Sequence, residues 1–252
     1  MSVSEFHDQS ITELDRRLRT RELTPVTLTE ALLARIADLD GTLGALQLVP
    51  PDRALAAARD AESNLGAGND LGPLHGIPYV AKDLFDVAGL PTTAGTRLLA
   101  DNVVDADAAV VARLARAGMV LLGKTKTVQL AYGGAGLNHD LGTPHNPWHR
   151  VHHLPGGSSS GSAVAVAAGM TPAALGTDTG GSVLIPAALC GITGLKTTVG
   201  QVSHAGVYPL SFSLDSVGPL ARSVEDGALL YQAMQGPDGG DDTTRGRTPR
   251  TS

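Results

Sequence analysis

The chain has 252 residues, 42% hydrophobic and 17% charged, with a formal net charge of −6, which suits one large core and favours a single domain. Acids and bases are interspersed, so there is no basic stripe for nucleic acid and no polybasic or long apolar segment for a membrane. The single cysteine, Cys190, excludes an internal disulfide or a multi-cysteine metal site, and the polar, acidic start MSVSEFHDQSITELDRR lacks the basic-then-apolar form of a leader, which sets a cytoplasmic expectation.

Taken in chain order, residues 10–39 read as a helical hairpin: Leu14, Leu18, Leu28, Leu32, Leu33 and Ile36 fall at helical spacing, interrupted near Thr24-Pro25. Ala45–Val49 reads as a strand, Pro51–Ser63 as a helix, and Ile77–Ala81 as an apolar strand running into Lys82-Asp83. A helix over 107–117 stops at Gly118, and Met119–Leu122 is a short buried strand. Ser162–Ala168 is an Ala/Val helix without a polar face, Ala173–Leu175 is extended, and Ser223–Met234 is a helix ended by Gly236-Pro237. Alternating helix and strand is the α/β pattern. Residues 237–252 lack a large apolar residue and read as a flexible, solvated tail.

Three local patterns suggest chemistry that their context does not support. Gly118 to Thr125 fits the phosphate-loop expression G-x-x-x-x-G-K-S/T, but a helix precedes Gly118 where a strand is needed, and the four residues before Gly123 are themselves strand-like. Gly157 to Gly161 fits the nucleophile elbow G-x-S-x-G, with Ser159 as nucleophile and Asp178 or Asp215 with His204 as partners. The preceding HNPWHRVHHLP is polar and proline-broken where an elbow requires a buried strand. His145, His149, His152 and His153 are dense enough to suggest a metal, yet sit on a loop without cysteines or carboxylates beside them. Cys190, among Ala187, Ala188, Leu189 and Ile192, reads as a small core residue.

The most unusual stretch is residues 155–196, rich in glycine and serine, with one charge, Asp178, between Pro155 and Lys196. Ser182 follows Gly180-Gly181, where successive backbone amides can converge on one spot and hold an oxyanion. A serine needs a base. Lys82, after the apolar run Ile77–Ala81, is a candidate, because burial lowers an ammonium's pKa and yields a neutral amine.

Residues 155–196 resemble the Gly/Ser-rich signature of the amidase signature family, serine hydrolases of amide bonds. HGIPYVAKDLFDVAGLPTTAGT (75–96) is similar to the family's lysine segment, YGGAGLNHDLGTPHNPW (132–148), which begins at Tyr132, to its substrate loop, and SHAGVYPLSFSLDSVGPLARSVED (203–226) to the stretch after the signature. The resemblance implies an α/β amidase signature fold, a mixed β-sheet core covered by helices on both sides, with a helical hairpin at about 10–40 and a catalytic core at about 45–236. It implies Lys82, Ser158 and Ser182 as the catalytic set, with Ser158 after a cis peptide bridging lysine and nucleophile. Tyr132, Ser158 and the amides of Thr179, Gly180, Gly181 and Ser182 are implied as the substrate and oxyanion site. A small-molecule amide is the implied substrate, and no metal or cofactor is required.

Two substitutions depart from the family pattern: Leu184 stands where an arginine is usual, and Thr197 where a proline is usual. Loss of a buried guanidinium is expected to loosen the bonding around Asp178. Family members are usually longer, so the fold is expected to be incomplete at the C-terminus and the chain to form a homodimer or to take the missing portion from a partner chain. Two classes follow: an active amidase, or a non-catalytic or partner-dependent subunit, including a glutaminase-type amidotransferase component.

Overall fold

The computed structural model describes residues 6–249. The expected hairpin forms as α1 (Ile11–Arg19) and α2 (Pro25–Leu43), capped by the side chains of Ser10 and Thr24, with Pro25 in the first turn of α2, where a missing N–H costs nothing. Leu14, Leu18, Leu28, Leu32 and Ile36 are all buried. Strand β1 (Leu46–Leu48), α3 (Pro51–Gly66), β2 (Pro78–Lys82), α4 (Ala109–Arg116) and β3 (Val120–Thr125) follow. After them come α5 (Ser160–Ala167), β4 (Ala173–Asp178), α6 (Leu184–Cys190), β5 (Thr193–Gly194), β6 (Ser216–Ala221) and the expected C-terminal helix, α7 (Val224–Met234).

Among the described residues the strands form one mixed sheet of six, in the order β1-β3-β2-β4-β6-β5. β2 lies in its centre, parallel to both β3 and β4. β1 pairs antiparallel with β3, and β4 with β6, as does β5 with β6.

The sequence reading left out β6, β5 and α6. Proline hides two of them. Pro219 lies inside β6 between β4 and β5, a place where a missing N–H normally argues against a strand; its carbonyl still accepts from the Leu195 amide at 3.1 Å. Pro186 is the third residue of α6, within the first turn, whose amides have no intrahelical partner to lose.

The helix without a polar face, α5, has every residue from Ser160 to Val166 buried and packs against β2, β3, β4 and β6. Its close approach rests on Gly161: a Cβ there would stand 2.7 Å from both the amide and the carbonyl of Lys126 and would strike the carbonyl of Ala45. Gly157 and Gly136 face each other in the same way, a Cβ on Gly157 falling 2.9 Å from the Gly136 Cα.

Residues 237–249 have more structure than a solvated tail. The Arg113 guanidinium holds the carbonyls of Met234 at 2.6 Å, Gly236 at 2.9 Å and Pro237 at 2.7 Å. The Asp241 carboxylate accepts from the His204 amide at 2.7 Å, and Thr244 is fully buried, its hydroxyl donating to the Asp241 carbonyl at 2.8 Å. The anchors are polar, which is why the absence of apolar residues concealed them.

Gly161→Ala supplies a prediction with opposing terms. Alanine in a helix is favoured over glycine by up to about 1 kcal/mol, but the backbone contacts at Gly161 have no side chain that can yield. Overpacking of this kind costs about 1–3 kcal/mol, so the denaturant midpoint should fall with the slope unchanged.

Candidate active site

Lys82 ends β2, whose five residues are all buried, and is itself 0% exposed. Its Nζ donates to the Ser158 Oγ at 2.7 Å and to the Thr177 Oγ1 at 2.8 Å. Burial pushes the ammonium's pKa down to about 7, against the smaller opposing pull of the Asp178 and Asp215 carboxylates. A neutral amine is therefore available at ordinary pH. Thr177 had no place in the sequence reading, although a polar residue at the end of the apolar strand β4 was the available signal.

The peptide bond between Gly157 and Ser158 is cis. Around it, the Ser158 carbonyl accepts from the Thr127 Oγ1 at 2.9 Å and the Val128 amide at 3.3 Å, and the Gly157 amide donates to the Gly134 carbonyl at 2.8 Å. These bonds fix the loop that starts at Tyr132 beside Ser158. Tyr132 itself is 82% exposed, following two residues, Leu130 and Ala131, in the left-handed region. Ser182 is tied to the residue after Ser158 through its carbonyl, which accepts from the Ser159 amide at 3.1 Å. It retains 9% exposure, and the turn before it borders open space at Gly180.

Asp178 shapes that turn. Its carboxylate accepts from the amides of Gly181 at 2.7 Å, Val183 at 2.8 Å and Leu184 at 3.3 Å, and from the Lys196 Nζ at 3.0 Å. Burial alone would raise its pKa, but the Val183 and Gly181 amides and Lys196 together hold it below the usual carboxylate value. The Gly181 amide, expected among the oxyanion donors, is thus turned to Asp178: a backbone N–H aimed at a carboxylate cannot also face a substrate. Nor does Leu184 leave Asp178 loosely held, since Lys196 supplies the cation and also reaches the Asp178 carbonyl at 2.9 Å. Thr197, in place of proline, donates its hydroxyl to the Val217 carbonyl at 2.7 Å. Beside the turn, the Thr179 Oγ1 donates to Asp215 at 2.5 Å.

The remaining sequence patterns have structural partners. Lys124, of the phosphate-loop expression, is buried within β3 and paired with Asp83 at 2.6 Å, so it is not free to meet a phosphate. The Ser159 hydroxyl donates to the Thr177 carbonyl at 3.2 Å and accepts from the Thr177 amide at 3.3 Å, while His204 lies beside Asp241 at 3.6 Å. The four loop histidines meet as pairs, His145 tilted against His152 and His149 stacked on His153, ring centroids 3.7 and 3.8 Å apart. Among the described residues no group of three or more His, Cys, Asp or Glu side chains is placed to hold a metal. Cys190 is buried with its thiol pushed up to about 12, far from a reactive thiolate. No helix among the described residues is long and apolar enough to cross a membrane.

The family model for amidases matches residues 27–251. A glutamyl-tRNA(Gln) amidotransferase subunit from Chloroflexus aurantiacus is 46% identical over 242 residues, covering 96% of this chain and 50% of that protein. Its counterpart in Pseudomonas putida is 47% identical over 239 residues, covering 95% of this chain and 49% of that protein. The solved peptide amidase of Stenotrophomonas maltophilia superposes with a TM-score of 0.92 at 41% identity, over 98% of this chain and 52% of that one. The chain spans about half the length of the curated relatives it matches. With the mixed sheet, the Gly/Ser-rich segment and the buried lysine in hand, the match over residues 27–251 settles the family: the chain belongs to the amidase signature family.

Proposed function

We propose that this chain hydrolyses a carboxylic acid amide to the acid plus ammonia or an amine, through an acyl-enzyme on Ser182 with Ser158 and Lys82 as the proton relay. The observation that carries the reading is the fully buried Lys82 Nζ, 2.7 Å from the Ser158 hydroxyl, its pKa lowered by burial to about 7. A dehydrated lysine without a carboxylate in contact is an expensive arrangement for stability alone, and it is the form a general base requires.

In the proposed sequence Ser158 takes the proton of the Ser182 hydroxyl as its own passes to Lys82. The Ser182 Oγ bonds to the amide carbon, and the oxyanion is met by the amides of Thr179, Gly180 and Ser182. Ser158 then gives a proton to the nitrogen, regains one from Lys82, and the C–N bond breaks. Water, deprotonated by the same relay, adds to the acyl carbon, and the ester bond to Ser182 breaks to return the free serine. Tyr132, exposed on the neighbouring loop, contacts the incoming substrate.

A second reading keeps the same site and assigns it to a partner-dependent, glutaminase-type component. It is favoured by the 46% identity to one component of an amidotransferase. In this reading a partner chain, or a second copy, covers the site before it turns over.

A serine-reactive fluorophosphonate should label Ser182, and Ser182→Ala should abolish both labelling and hydrolysis of a model amide. Ser159→Ala should cost far less than Ser158→Ala; mass spectrometry of the labelled peptide and steady-state rates check both. Labelling only after a partner is added would select the second reading.

The base form of Lys82 is the neutral amine, whose fraction grows as pH rises. kcat/KM should therefore be low under acid conditions, climb through pH 7 and level off above it, since the Lys82 pKa lies at about 7. A pH–rate profile flat from 5 to 9 would remove Lys82 from the reaction.

Lys82→Arg should be nearly as damaging as Lys82→Ala, with each losing roughly a hundredfold or more in kcat. A guanidinium stays protonated and cannot accept the Ser158 proton.

A further inference from the structure

A cleft of about 560 Å³ opens beside the relay, its lining running from Thr177 at the end of β4 to Val207, Pro209, Phe212 and Val217. It reaches the site at its lysine end, since the Thr177 hydroxyl is the second partner of the Lys82 Nζ, at 2.8 Å. Phe212 stands at this cleft 86% exposed, a large aromatic with little of its ring covered. An exposed Phe beside a concave apolar wall is the kind of surface that gains by burying a ligand.

Three carboxylates, Asp215, Asp241 and Asp242, also border the cleft, and all are occupied by the protein, Asp242 by the Arg245 guanidinium at 2.5 Å. Asp215 accepts from the Thr179 hydroxyl at 2.5 Å and from the amides of Leu210 and Ser211, both at 2.9 Å. Asp241 accepts from the His204 amide at 2.7 Å and from the amide and hydroxyl of Thr243 at 2.9 and 2.7 Å. Arg245 offsets the charge of Asp242, whereas Asp215 and Asp241 take their bonds from amides and hydroxyls and so keep a negative field over the cavity. Apolar walls in such a field accept an uncharged group and repel an anionic one.

Resting on the amide-hydrolysis reading above, we propose that this cleft receives the amine half of the substrate and that Phe212 is its specificity-determining residue, selecting amides of uncharged aromatic amines over those of carboxylate-bearing amines. The assignment to the amine half follows from the relay. The leaving nitrogen takes its proton from Ser158, which is bonded to Lys82, so the group attached to that nitrogen lies toward the lysine end, where the cleft opens.

The test compares acetanilide with 4-acetamidobenzoate, which share an acyl group and differ by a carboxylate on the amine ring. Hexananilide and its 4-carboxy analogue serve as the acyl control. The expected preference for the uncharged anilide is roughly tenfold in kcat/KM, the same for acetyl and hexanoyl. Phe212→Ala should raise KM for the anilides about tenfold, with a smaller change in kcat, and narrow the preference, while Phe212→Leu retains most of it. Binding is read separately, by ligand-detected NMR on the Ser182→Ala protein with and without Phe212→Ala. Selective acetanilide binding that Phe212→Ala removes, with no turnover of any amide, would overturn the hydrolysis reading and uphold the cleft. Equal binding of the two ring types, or a Phe212→Ala effect that follows acyl length, would overturn the cleft assignment.

Discussion

The site depends on one constraint, the desolvation of the Lys82 amine. The side chain enters from the central strand β2, with β3 and β4 on either side, and meets two hydroxyls, those of Ser158 and Thr177. Hydroxyls offer hydrogen bonds but no countercharge, so the cost of dehydrating an ammonium is only partly offset and the neutral form is favoured. Lys124, one strand away, shows the other solution. It too is dehydrated, but the Asp83 carboxylate stands 2.6 Å from it and opposes the downward shift. Adjacent residues of one strand end thus serve opposite purposes: Lys82 is kept without a carboxylate partner, and Asp83 is given to a different lysine.

Keeping charge away from Lys82 explains the composition of residues 155–196. The elements around the amine must be uncharged and must approach closely, and small residues do both. Gly161 lets α5 lie against the backbone at Lys126 and Ala45, and Gly157 and Gly136 bring the Tyr132 loop against the cis peptide. Two of the buried serines in this segment are bonded within the core: Ser159 bonds Thr177 through both roles of its hydroxyl, and Ser162 bonds Thr125 at 2.7 Å and the Leu175 carbonyl at 2.9 Å. Ser158 differs from them, because its partner is the titratable amine.

The one charge inside the segment, Asp178, is placed where it organises the Ser182 turn and not the amine. Three amides and Lys196 converge on its carboxylate, which fixes the path of the chain from β4 through Ser182 into α6. That role was open to the sequence only in outline. Leu184 in the arginine position suggested a weakened network, and the cation that compensates, Lys196, lies twelve residues on and meets Asp178 only because β5 and β6 fold back beside β4.

The sequence by itself determined the elements whose periodicity is strong and the residue types at the centre of the site. The leucines of α1 and α2, the apolar run of β2 and the lack of a polar face on α5 follow from spacing and hydrophobicity, while Lys82, Ser158 and Ser182 were named through the resemblance of residues 75–96 and 155–196 to the amidase signature family. Tertiary structure decided the rest. β6 and α6 form across prolines because their missing amide bonds are ones those positions can do without, a fact that depends on neighbours and not on local propensity. Residues 237–249 are held by Arg113 and the Asp241 carboxylate, polar contacts from distant segments that leave no local pattern. The Gly181 amide turns to Asp178, Thr177 joins Lys82, and Phe212 stands open at the cleft that Thr177 borders. Each of these is a matter of direction in space, which a chain acquires only when its strands are set side by side.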